Sequence, residues 1–164
     1  MAQALNVDVA ARREQIAKLR RLPKQLAALV APLTRPQLTT QFLAGEWSVA
    51  QNVHHLADSH MNSFVRLKLI LTEENPTIRP YDQEAWAQTP EANSPDLQPS
   101  LALLAALHQR WADLLVSLDE ADWQRTGMRP ESGVITPISL AEYYAAHGEG
   151  HIDQIQRTLA AEGK

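Results

Sequence analysis

Near its C-terminal end the chain reads AAHGEGHIDQI, which sets His147 and His151 four residues apart. On an α-helix that spacing stacks the two rings on one face. Leu140, Tyr144, Ile155 and Leu159 continue the same face, so both rings are expected to point inward. A buried neutral imidazole carries one donor and one acceptor, and both need partners. A divalent cation bound through one nitrogen of each ring would satisfy them, with acceptors holding the other nitrogens. The spacing alone is a short pattern, and it lacks the Glu that directly follows the first His in zinc-protease helices. Gly148 and Gly150 lie between the rings, and each costs a helix interior about 1 kcal/mol relative to Ala. Close approach of another helix or of a ligand would account for either glycine.

A second stretch, WSVAQNVHHLADSHMNSFVR from Trp47 to Arg66, has the same character. Ser48 with Gln51 forms a capping-box signature, which predicts a helix over about 48–72. Val49, Val53, Leu56, Phe64, Leu67 and Leu71 make its apolar stripe, with Ala57 and His60 beside it. Nearly opposite runs a row of His55, Ser59, Asn62 and Arg66, flanked by Ser48 and Asn52. Solvated helix faces favour Lys and Glu, whereas Ser and Asn are poor helix formers. The row therefore has the composition of a polar pocket lining.

These segments need elements to hold them. A first helix is predicted over residues 8 to about 31, kinked at Pro23 because proline deletes a hydrogen bond. Residues 73–99 contain five prolines and are expected to form an ordered lid, anchored by Ile78, Tyr81 and Trp86. Ser100 is expected to cap a third helix with Leu104, Leu107, Trp111, Leu114 and Leu118 on its buried side. Asp119 to Trp123 reads as a short capped turn, and residues 129–133, RPESG, as a tight turn beside a small extended excursion at Val134 and Ile135. Ser139 with Glu142 is a second capping-box signature, opening a fourth helix that ends near Ala161. The result is an all-α protein, one domain over residues 1–164, built as a four-helix bundle. The long second connection is expected to allow a crossover.

Composition narrows the partners. The net charge is −4 and no large basic cluster occurs, so a nucleic-acid partner is not expected. Lys18, Arg20, Arg21 and Lys24 read as a solvated face of the first helix. No apolar run is long enough to span a bilayer and no signal-peptide pattern is present, so a cytoplasmic location is expected. Cysteine is absent, so thiolate ligands and an internal sulfur nucleophile are excluded. Any thiol chemistry must use an external thiol.

The chain resembles the DinB/YfiT-like superfamily, most closely its YfiT-type branch. The resemblance rests on Gly45-Glu46-Trp47-Ser48-Val49, on the run from Val53 to Ser63 and on Arg66. It also rests on Ile78-Arg79-Pro80-Tyr81-Asp82 with Trp86, on Pro23, on His108 with Trp111, and on the His147/His151 pair. It implies a bundle with a crossover connection and a divalent metal, Zn2+ or Ni2+, held by His55, His147 and His151. It also implies an open site that activates a low-molecular-weight thiol of the bacillithiol type for S-transfer to an electrophile. Metal-dependent hydrolysis of a small ester or amide is the alternative, and a non-catalytic metal-binding stress module a second one. Asn62 and Arg66, with Arg79 on the lid, are candidates to orient a small, anionic substrate. Some relatives carry further histidines where this chain has Gly148-Glu149-Gly150, and Glu149 is expected at the surface. His54 is expected to be exposed or in a helix contact, His60 and His108 to be structural, and Asp58 to be a surface residue. A homodimer is expected, with Trp111 or Trp123 contributing to the contact.

Overall fold

The computed structural model describes residues 2–131 and 133–163, with side chains described from residue 9 onward. Four long helices dominate: α1 (Ala2–Val30), α3 (Val49–Thr72), α5 (Gln98–Ser117) and α7 (Pro137–Ala160). Shorter elements fill the connections: α2 (Arg35–Thr39), α4 (Gln83–Ala87), α6 (Glu120–Trp123) and a hairpin of β1 (Gly127–Arg129) with β2 (Gly133–Ile135).

Helix α1 packs against α5 and α7, and α3 packs against the same two. Consecutive long helices α1 and α3 are therefore diagonal in the bundle, as are α5 and α7. The connections that cross it are residues 31–48 and 118–136, whereas the longest one, 73–97, joins neighbours. Length alone pointed to the wrong loop, because a crossing is set by helix pairing.

Local chemistry explains most boundaries. Ser48 and Gln51 form the expected reciprocal cap of α3. At α7 the cap is Thr136 rather than Ser139: Pro137 takes the first turn, where its missing N–H costs nothing, and Ser139 completes the box in place of Glu142. Helix α5 begins before Ser100, with Pro99 in its first turn, and the Ser100 hydroxyl lies 2.8 Å from His54 Nδ1 instead of capping. Asp119 caps α6 as expected. The extended excursion at Val134 and Ile135 is a strand paired with residues 127–129, although Ser132 in the intervening turn lies outside the described residues.

The 73–97 connection is ordered and pinned. Backbone bonds join Ile78 N–H to the Met128 carbonyl and Met128 N–H to the Pro76 carbonyl, both at 2.8 Å. Its buried anchors are Ile78, Ala87, Ala92 and Leu97. Trp86 is not one of them: it is 38% exposed and leans on the Tyr81 ring. Trp111 and Trp123 are buried in the core, so neither is available to an interface between copies.

The core is split in two along the bundle. One apolar cluster gathers Leu19, Phe64, Leu67, Trp111, Leu115 and Tyr144, and the other gathers Leu26, Val53, Leu56, Leu104 and Ile155. The stretches between these residues carry Pro23, Ser59, His60, His108, His147 and Gly148. A polar layer thus interrupts the hydrophobic interior, and burying such groups is costly unless each finds a partner.

The two glycines of α7 differ. A Cβ on Gly148 would fall 2.4 Å from Leu22 Cδ2 and 3.2 Å from its Cγ, so Gly148 is where α1 and α7 close together. A Cβ on Gly150 would meet nothing within 4 Å. Gly148→Ala should destabilise the fold by about 1–3 kcal/mol through overpacking. Gly150→Ala should stabilise it by about 0.5–1 kcal/mol by removing helix-interior glycine. Urea denaturation of the two variants checks both signs.

Candidate metal centre

Most of the polar row of α3 is buried, with Asn62 half-buried. Ser48, Asn52, His55, Ser59 and Arg66 are all shielded from solvent, Asn52 completely. The structure brings His55 together with His147 and His151: their ring nitrogens lie within 4.8 Å of one another. His147 Nε2 is 3.3 Å from His55 Nε2 and 3.2 Å from His151 Nε2.

The direction of the surrounding hydrogen bonds decides what these nitrogens can do. The Asn52 amide N–H donates to the Ser48 carbonyl at 2.9 Å, which turns its oxygen toward His151 Nδ1 at 2.7 Å. His151 therefore donates from Nδ1, and its Nε2 carries a lone pair. His147 Nδ1 in turn lies 3.2 Å from His60 Nε2. Burial keeps the rings neutral at pH 7. It pushes His55 and His147 down to about 3, helped in both by the charge of His151, and it pushes His151 to about 4, with Gln154 pulling slightly back. Neutral imidazoles whose lone pairs face one another repel, and a shared cation removes the conflict. Nitrogens placed about 2.0–2.1 Å from one tetrahedral ion would be about 3.3 Å apart, and the two spacings at His147 Nε2 fit that value.

The same shifts set a pH dependence. These histidines bind fewer protons folded than unfolded, so their contribution is fully present above about pH 6.5, the ordinary histidine value, and is lost as pH falls toward the folded values of about 3 to 4. Metal-free protein should be less stable at pH 5 than at pH 8 by up to about 6 kcal/mol, about 2 kcal/mol for each of the three rings. Urea midpoints measured at the two pH values test this.

The triad opens into a cavity of about 340 Å³ lined by Gly45, Glu46, Trp47, Glu84, Tyr143 and Gln154 among others. Trp47 packs its ring 4.7 Å from His55 and lies parallel to His151, while its indole N–H donates to Glu84 on α4 at 3.2 Å. A second chamber of about 310 Å³ adjoins it and shares Gln83, Tyr143 and His147. Ser59, Arg66, Tyr81, Arg129, Glu131 and Tyr144 are among the other residues lining that chamber. Arg66 is 5% exposed, donates to the Tyr144 hydroxyl at 3.0 Å and to the Arg79 carbonyl at 3.3 Å, and has no carboxylate partner among the described residues.

Other candidates fall elsewhere. Asn62 donates to the Asp58 carbonyl of its own helix at 2.9 Å and lines neither chamber. Arg79 meets the site only through its carbonyl. Asp58 is half-buried rather than a free surface group, and burial raises its pKa, with Glu91 adding to the rise. His54 is buried, held between the Ser100 hydroxyl and the Ser94 carbonyl. Glu149 is at the surface and pairs with Lys18 and Arg21, so part of the basic face of α1 meets carboxylate partners. Trp47, Asn52, Tyr143, Glu84 and Gln154 were not singled out as site residues from sequence. The one signal in the sequence is the place of Asn52 flanking the anomalous polar row.

The DinB superfamily model matches residues 18–155. The chain belongs to the DinB superfamily. Among relatives of this DinB protein, one from Oceanobacillus iheyensis, named "putative metal-dependent hydrolase", is 46% identical over 142 residues, covering 87% of this chain and 82% of the relative. A relative of the same description from Bacillus mycoides is 44% identical over 140 residues, covering 85% and 80%. The DinB chain also superposes on YfiT from Bacillus subtilis with a TM-score of 0.86 and 41% identity, covering 90% of this chain and 85% of YfiT. YfiT is described as "a probable metal-dependent hydrolase with an unusual four-helix bundle topology". No described helix of this DinB protein is long and apolar enough to cross a membrane.

Proposed function

We propose that this chain is a metal-dependent enzyme that joins a small external thiol, of the bacillithiol type, to an electrophilic small molecule. The observation that carries the metal-dependent part is the convergence of ring nitrogens of His55, His147 and His151 at a cavity mouth. These three residues would hold a divalent ion, Zn2+ or Ni2+ by donor preference. Bound there, the ion would supply Lewis-acid charge that favours the anionic form of a thiol or a water.

What favours transfer over hydrolysis is the pair of adjoining chambers that meet at His147. A transfer brings two organic reactants together, whereas hydrolysis needs room for one plus water. In this reading the cavity beside Trp47 receives the thiol. The second chamber receives the electrophile, and Arg66 grips an anionic group on it. The carbon–sulfur bond forms as the leaving group departs with its electron pair, and the thiol proton passes to solvent. The protein has no cysteine to compete with the external thiol.

Hydrolysis of a small ester or amide is the second reading, favoured by the names of the relatives. Metal-loaded protein should be offered an activated aryl chloride with a low-molecular-weight thiol and, separately, a nitrophenyl ester without thiol. Thiol-dependent conjugation that chelation abolishes supports the proposal; chelator-sensitive ester cleavage alone moves the assignment to hydrolysis. Neither activity, with metal bound, leaves a non-catalytic metal-binding module.

A further inference from the structure

The proline inside α1 connects to the metal centre through the buried polar layer. Residue 23 would ordinarily donate its N–H to the carbonyl four residues earlier, but Pro23 has none. The carbonyl left free is that of Leu19. It accepts a hydrogen bond from His108 Nδ1 at 2.6 Å. A carbonyl can only accept, so the His108 proton is on Nδ1 and its Nε2 is an acceptor. His108 Nε2 lies 2.8 Å from His60 Nδ1, which must donate. His60 Nε2 is then the acceptor for His147 Nδ1 at 3.2 Å. His147 is left with its lone pair on Nε2, facing the other two triad nitrogens.

We infer that Pro23 and the chain Leu19 carbonyl–His108–His60 are positioning residues that set the tautomer and ring orientation of His147 for metal binding. The two intermediate rings are 0% and 1% exposed, so water does not compete for their nitrogens. The rings also brace one another, with centroids 4.9 Å apart for His60 and His108 and 5.4 Å for His60 and His147. A buried histidine touching a ligand explains one hydrogen bond. A relay that ends at a carbonyl released by a proline explains why every donor and acceptor along it points the same way. The arrangement also parallels the other side of the triad, where Asn52 fixes His151 by a single bond.

The inference rests on His147 being a metal ligand, and two readouts separate its failure from that one. In metal-free protein, ¹⁵N shifts of the ring nitrogens report each tautomer directly. Zn2+ titration against a competing chromophoric chelator reports affinity. Wild type should show protons on Nδ1 of His108, His60 and His147. Pro23→Ala restores a competing N–H to Leu19, so the His108 signature should become mixed and Zn2+ affinity fall about 3- to 10-fold, with the thermal midpoint unchanged or higher. His108→Gln keeps an acceptor for His60 and should bind Zn2+ within about threefold of wild type, whereas His108→Phe removes it and should lose about 10-fold or more. Wild-type tautomers and Zn2+ affinity in Pro23→Ala would overturn the role of the proline, and equal affinities for His108→Gln and folded His108→Phe would overturn the relay. Absence of Zn2+ binding by wild type, with the tautomers as stated, would defeat the metal reading instead.

Discussion

His147→Ala should abolish metal binding while leaving a folded protein. The Nε2 of His147 lies within hydrogen-bonding distance of both other rings, 3.3 Å from His55 Nε2 and 3.2 Å from His151 Nε2. Replacing residues that merely support a ligand typically costs about 10- to 100-fold in affinity, so loss of the ligand itself should exceed about 100-fold. The fold should survive because two opposing effects nearly cancel. Removing the ring relieves the repulsion among lone pairs in the metal-free state. It also strands the His60 Nε2 acceptor, at a cost of about 1–3 kcal/mol. Zn2+ titration together with circular dichroism measures both parts. Unchanged affinity and stoichiometry in a folded His147→Ala protein would remove the triad as the metal site, and with it the catalytic proposal.

Arg66→Met should cost catalysis rather than metal. The guanidinium is buried in the second chamber, where it donates to the Tyr144 hydroxyl and the Arg79 carbonyl and meets no carboxylate partner among the described residues. A buried cation without a carboxylate partner is held at a cost that an anionic substrate would offset. A charge-assisted hydrogen bond contributes roughly 1.5–3 kcal/mol, so kcat/KM toward an anionic electrophile should fall by about 10- to 100-fold. Zn2+ affinity should not change, and a neutral analogue of the electrophile should lose little. Arg66→Lys should recover only part of the loss, because a point charge cannot reproduce the planar fork. Equal losses for the anionic and the neutral electrophile would show that Arg66 braces the chamber rather than binding substrate.

Much of this molecule was legible along the chain, and the residues show why. The apolar stripe of α3, the reciprocal cap at Ser48 and Gln51, the inward face carrying His147 and His151, and the disruptive Pro23 are local features. Each depends on helical periodicity or on a bond between residues three or four apart, and one dimension contains that information. The same property misled at α5 and α7, where Ser100 and Ser139 had the residue type of a cap but Pro99 and Pro137 placed each helix start earlier.

The tertiary structure alone decided which faces meet. His55 and His147 are 92 residues apart in sequence, as His54 and Ser100 are 46 apart, and nothing local joins them. Packing α3 and α5 as diagonal partners of α1 and α7 placed the polar layer of all four helices at one height, where each donor had to find an acceptor. That requirement turned His60 from a core residue into a support for His147, gave Asn52 its bond to His151, and assigned the carbonyl freed by Pro23 to His108. Hydrogen-bond partners in a core are chosen by three-dimensional proximity in a medium where an unpaired group is expensive, whereas the helices that carry them are chosen by spacing along the chain.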